Sequence, residues 1–153
     1  MYKRSIAVVV AGALLVAGAA ALSRSKGHVP SYLLNADVRQ STIRTTICTP
    51  GYTKTIRPSN DYTHRLKMSQ LGDDTQYVDK DPSHYEEDHW IALEVGGNPK
   101  DYRNLWPEPW DDARKKDKVE NDLHSRVCSN KMSLAEAQWA LYTQWDPKRL
   151  TKS

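Results

Sequence analysis

An uninterrupted apolar run of 17 residues, 6–22, stands behind Lys3 and Arg4, and no later segment of the 153-residue chain approaches it in hydrophobicity. Such a run belongs to a membrane encounter rather than to the core of a small domain. A basic start, an apolar middle and Ala-x-Ala sites ending at Ala19 or Ala21 are the parts of a secretory signal. The alternative is an uncleaved anchor, for which 17 residues fall just short of the ~20 that span a bilayer. Either way the remainder is expected outside the cytoplasm, secreted or on the outer face of the cytoplasmic membrane. Only about a third of the remaining 131 residues are hydrophobic and Phe is absent, so the core must be small and lean on Trp and Tyr. One domain is expected over residues 35–150, behind a linker at 23–34. Collagen, a polytopic membrane protein and a Cys-rich mini-scaffold are excluded.

The formal net charge is +3, from 22 basic and 19 acidic residues. Losing residues 1–22 removes Lys3 and Arg4 but no acid, which leaves +1. A protein held on nucleic acid by bulk charge looks different, so any such partner must meet a local patch. Cys48 and Cys128 are the only cysteines, and in an exported chain such a pair forms a disulfide. Two cysteines cannot make a four-cysteine zinc site.

Turn and cap signals divide the mature chain. Residues 35–48 read as a short helix and then a strand. Pro50-Gly51 and Pro58-Ser59-Asn60-Asp61 are turns, with Asn60 or Asp61 capping a helix to about Leu71. Trp90-Ile91-Ala92-Leu93-Glu94-Val95 reads as a strand stopped by Gly96-Gly97. Asn104-Leu105-Trp106 is a short extended piece ended by Pro107 and Pro109, and residues 112–128 read as a long helix. Ser133 and Glu136 form a capping box ahead of a last helix to about Trp145.

The chemistry concentrates in Tyr85-Glu86-Glu87-Asp88-His89, Asn104, Glu120 and His124. Neighbouring side chains on a strand point to opposite faces, so Asp88 and His89 suit two jobs: one holds a metal while the other faces the reacting atom. An amide at Asn104 can bond the loop of the first strand and hold the imidazole. In the long helix, Val119, Leu123 and Val127 form an apolar stripe. Glu120 and His124 lie close enough to it to face the hairpin, whereas Asn121 points away.

Asp88-His89 with Gly96-Gly97 and Asn104-Leu105-Trp106-Pro107 resembles the HNH endonucleases of the ββα-metal superfamily. Cys48-x-Pro50-Gly51, Arg57-Pro58, Tyr85-Glu86-x-Asp88-His89, Lys116-Asp117-x-x-Glu120 and Val127-Cys128 extend the resemblance to small exported bacterial proteins of HNH type. The resemblance implies an α+β fold, mainly helical, built around a hairpin–helix metal motif at about residues 85–128. It implies Asp88 as ligand of a divalent cation (Mg²⁺ first, Mn²⁺ or a transition ion as alternatives), His89 as general base and Asn104 as its orienting amide. Ala113 stands where many relatives carry His or Asn, so Glu120 or His124 must complete the ion's shell.

Bland readings stand beside these. Glu120 can simply pair with Lys116 four residues earlier. Glu86 supports the site or is solvated, and Glu87 is expected in solvent. Lys116, Arg103 and the basic residues Arg114, Lys115 and Lys118 either guide a phosphate backbone or form a solvated face. The expected activity is metal-dependent cleavage of DNA, with RNA as the alternative substrate, by a monomer with little sequence preference, since no separate recognition module is visible. A non-catalytic extracellular binding module on the same scaffold is the rival, and a phosphoesterase of small substrates is a third reading.

Overall fold

The computed structural model describes residues 27–150, so the apolar amino-terminal segment lies outside the described residues. A two-stranded antiparallel hairpin leads directly into a long helix. Strand β1 is Tyr85–His89 and strand β2 is Leu105–Pro109, with Tyr85 opposite Pro109, Asp88 opposite Trp106 and His89 opposite Leu105. Helices α1 (Tyr52–Ile56) and α2 (Asn60–Asp73) precede the hairpin; α3 (Trp110–Cys128), α4 (Leu134–Gln144) and α5 (Pro147–Leu150) follow it. The class is α+β, small and mostly helical. Among the described residues no helix is long and apolar enough to cross a membrane.

The first strand differs from the one that hydrophobicity predicts. The pattern places it at residues 90–95, but pairing ends at His89 and the apolar run folds into a loop with a 3₁₀ turn at Leu93–Val95. Its side chains still serve the core: Ile91, Ala92, Leu93 and Val95 are all buried. Beyond the Trp90 N–H bond to the Asn104 carbonyl, its backbone is satisfied by turns of its own and by side chains instead of a partner strand. Ile91 N–H donates to Asn104 Oδ1 (2.8 Å), while Asn104 Nδ2 donates to the carbonyls of Ile91 (3.0 Å) and Asn98 (2.9 Å). The loop closes so tightly that a Cβ at Gly97 would lie 1.7 Å from the Ile91 carbonyl oxygen. Hydrophobicity alone cannot tell a strand from a buried loop anchored by an amide. Likewise β2 runs through Pro107, which a strand with one pairing edge tolerates.

The apolar stripe of α3 is present: Leu123 and Val127 are buried, with Val119 packed beside them. It meets Leu134, Ala137 and Leu141 of α4, the 90–95 loop, and Val29, Leu33, Val38, Ile43 and Ile47. Residues 35–48 form no strand; a 3₁₀ turn at Ile43–Thr45 takes its place. The chain joins the core at Val29 and Leu33, earlier than a linker to residue 34 allows. Cys48 and Cys128 form the disulfide, Cα–Cα 5.6 Å and 80 residues apart, tying this segment to the end of α3. A native disulfide typically contributes about 2–4 kcal/mol. Ser59, not Asn60 or Asp61, caps α2 by accepting from Tyr62 N–H, and the Ser133–Glu136 capping box forms as expected.

Candidate active site

Strand alternation divides β1. Asp88 points toward α3, where its Oδ2 accepts from Lys116 Nζ at 2.5 Å. Tyr85, Glu87 and His89 share the alternate positions and line a cleft against α2. This cleft has a volume of about 250 Å³, and a second cleft of about 110 Å³ opens on the α3 side. Arg57, Glu86 and His89 line both.

His89 is only 3% exposed. Its Nε2 lies 3.1 Å from the Pro99 carbonyl oxygen, which can only accept, so Nε2 carries the proton and Nδ1 is the lone-pair nitrogen. Burial pushes its pKa down to about 4, with Arg57 and Lys116 acting the same way against the pull of Asp88 and Pro99. The ring is therefore neutral at physiological pH. Asn104, fully buried, spends its side-chain hydrogen bonds on Ile91 and Asn98, not on the ring. It fixes the loop that carries Pro99, and Pro99 fixes the imidazole.

Lys116 is fully buried among acids. Its Nζ donates to Asp88 Oδ2 and to the His89 carbonyl (2.6 Å), and lies 2.6 Å from Glu120 Oε1 and 3.6 Å from Glu108 Oε2. The Glu120 contact is an ion pair without hydrogen-bond alignment. Burial favours a neutral amine, but the three carboxyl groups outweigh it and hold Lys116 charged, above its usual range. Burial raises Asp88, yet Lys116 wins and holds that carboxyl below the usual range. Glu108 and Glu120 are pushed up, first by burial and further by Asp88, against the pull of Lys116.

The remaining candidates scatter. His124 Nε2 contacts the Ile47 carbonyl oxygen at 2.9 Å beside the disulfide, and the residue lines neither cleft, so it does not join Asp88. Its position one turn beyond Glu120 carries it past the hairpin to the segment that Cys48 anchors. Arg103 is bound to Asp101 (2.6 Å) and stacks over Tyr32 (3.9 Å), away from both clefts. Arg114 and Lys115 pair with Asp111 and Asp112 on their own helix. Lys116, wholly enclosed, does not reach solvent to meet a phosphate. Glu86 is half-buried between the clefts, and burial raises its pKa. Glu87, expected in solvent, has both carboxylate oxygens shut off and is pushed up to about 8, chiefly by burial.

Two residues at the site have no role legible in the sequence, although Arg57-Pro58 is among the motifs of the resemblance. Glu108 is fully buried directly opposite Glu86, a place visible only once the register is known. Arg57 lies at the corner between α1 and α2 and has no ion-pair partner among the described residues.

Oxygen donors suit a hard divalent cation such as Mg²⁺. Asp88 and Glu120 both line the α3-side cleft, which is roomy enough to admit water beside an ion. Among the described residues the only three-donor group within mutual reach is Cys48, His124 and Cys128, and there the sulfurs are joined in the disulfide. The carboxylates thus form no closed cage. Asp88 Oδ2 and Glu120 Oε1 face the Lys116 ammonium at 2.5 and 2.6 Å, and Asp88 Oδ1 accepts from His89 N–H at 2.7 Å, so an ion would have to share or displace the lysine. No family model, curated protein or solved structure matches the chain.

Proposed function

We propose that the protein is a hydrolase of nucleic-acid phosphodiester bonds, of HNH type, acting outside the cytoplasm. The observation that carries the reading is His89: a buried, neutral imidazole with one nitrogen fixed on a carbonyl and the other unpaired, where two clefts meet beside Asp88. That nitrogen takes the proton of a water as the water attacks phosphorus. Asp88, adjoining the ring, favours the imidazolium that results. Lys116 keeps Asp88 ionised and grips the His89 carbonyl, so the base is held from its backbone as well as its ring. A divalent cation in the α3-side cleft would neutralise charge on the phosphate only by displacing the Lys116 ammonium from Asp88 and Glu120.

Nicking of plasmid DNA and cleavage of single-stranded DNA and RNA, each with EDTA or with added Mg²⁺ or Mn²⁺, test this. Metal-dependent cleavage is expected, and His89→Ala should lower it by about 10²–10⁴-fold. Wild-type rates in that variant dismiss His89 as the base. The enclosure of Lys116 among carboxylates also favours a second reading, a binding module whose charges serve only the fold. Absence of cleavage with every metal and substrate selects it.

A further inference from the structure

The α2-side cleft has features that the chemistry at His89 does not use. Arg57, exposed and in no ion pair among the described residues, lines both clefts, and its charge acts on His89. His64 of α2 adds a second exposed polar group. The other wall is Trp110, 40% exposed, an unusual state for an indole in a chain this short of core material. The ring is anchored by its Nε1–H, which donates to the Ser83 carbonyl at 2.9 Å, so the wall is firm. A guanidinium and a fixed aromatic face on one cleft are the two elements that hold a nucleotide, one for the phosphate and one for the base. The enclosure of His89 then decides which nucleic acid can reach it. His89 is 3% exposed and lines the same 250 Å³ space as Arg57 and Trp110. A phosphate on the outside of a duplex stays at the rim, because its base is stacked and paired within the helix. An unpaired nucleotide can turn its base onto Trp110 and carry its phosphate inward.

We infer that the cleft between α2 and β1 seats one unpaired nucleotide, its base on Trp110 and its phosphate on Arg57, so that single-stranded nucleic acid is the substrate. This rests on the hydrolase reading for the bond cut, but not for the binding. Every nucleobase has a face to stack, so strandedness and not base identity is selected.

The test is fluorescence anisotropy of the whole protein with a labelled oligo-dT strand of about 12 nucleotides, a length within the usual site sizes of single-strand binders, and with a duplex of the same length, in EDTA and over a range of salt. The strand should bind at least about tenfold more tightly than the duplex. Trp110→Ala should weaken strand binding by about tenfold or more, and Trp110→Tyr, which keeps a ring, should restore most of it. Arg57→Ala should weaken binding and reduce the salt slope by about one phosphate. Equal affinity for duplex and strand overturns the inference, and so does unchanged strand binding in a folded Trp110→Ala protein. Should that variant fail to fold, an unchanged salt slope in Arg57→Ala overturns it instead. Cleavage that ignores strandedness defeats this inference and leaves the hydrolase reading. Strand-selective binding without cleavage does the reverse.

Discussion

On the α3 side of β1, Lys116 is fully buried and its charge is spent on Asp88, Glu120 and the more distant Glu108. On the α2 side, Arg57 and His64 are exposed, and Lys67 donates to the carbonyls of Pro82 (2.9 Å) and Tyr85 (2.8 Å) rather than to a carboxylate. The same residue types therefore do different work a strand's width apart. A charge taken out of water must be matched within the protein, so the enclosed side holds geometry. A charge left at a cleft's edge keeps its solvation and stays available to a ligand. The volumes follow the same division, about 110 Å³ on the closed side and about 250 Å³ on the open one.

The hardest test of that contrast is Lys116→Met. It removes the one cation from three buried carboxyl groups, and urea unfolding at pH 7 should show a loss of about 3–5 kcal/mol. Glu108 is already neutral at that pH, pushed up to about 9, so a loss under about 1 kcal/mol would mean that Asp88 is neutral too and that the lysine organises nothing.

A second test uses pH. Burial holds folded His89 at about 4, below the ordinary histidine value of about 6.5. Between those values the unfolded chain binds the extra proton, so stability from this group is complete above about pH 6.5 and is lost as pH falls toward 4. The gap of about two and a half pH units amounts to about 3 kcal/mol. Glu87, raised to about 8, works oppositely, losing stability as pH rises from its unfolded value of about 4.5. The comparison is therefore wild type against His89→Gln: the wild type should lose about 3 kcal/mol relative to the variant between about pH 7 and pH 4. Parallel pH profiles would show that the ring is not enclosed.

How much of the fold and the site was legible in the residues depends on what each signal encodes. The Ser133–Glu136 cap, the α3 stripe and the Cys48–Cys128 pair are local or compositional, and they read through directly. The first strand lies just ahead of the run that hydrophobicity marks, because Ile91, Ala92, Leu93 and Val95 are as apolar in an anchored loop as in a sheet. Only the Asn104 side chain, 13 positions from Ile91 and bonded to both its N–H and its carbonyl, decides between the two. Glu108, and the place of Arg57 beyond its motif, escaped for a related reason. Their importance comes from what lies across the strand pair or across the cleft, and no spacing along the chain records that. Asp88 and His89 were legible as strand neighbours with side chains on opposite faces. Their partners, Lys116 and the Pro99 carbonyl, emerge only from the fold.

The smallest effect is expected at Lys67, and it sharpens the comparison most cleanly because the residue type is the same as at Lys116. Lys67 Nζ ties α2 to the start of β1 through two carbonyl oxygens. In Lys67→Met the stem still packs, no hydrogen-bonded carboxylate is stranded, and water at the open cleft can reach the carbonyls that are released. Two hydrogen bonds at about 0.5–1.5 kcal/mol each, partly replaced by water, give a loss of about 1–2 kcal/mol. Glu87 feels the missing charge, but burial already favours its neutral form, so the change adds little there. Urea unfolding of the two methionine variants side by side reads the difference. If Lys67→Met costs as much as Lys116→Met, the open side is as dependent on internal charge pairing as the closed one, and the division between a structural face and a ligand-facing one is lost.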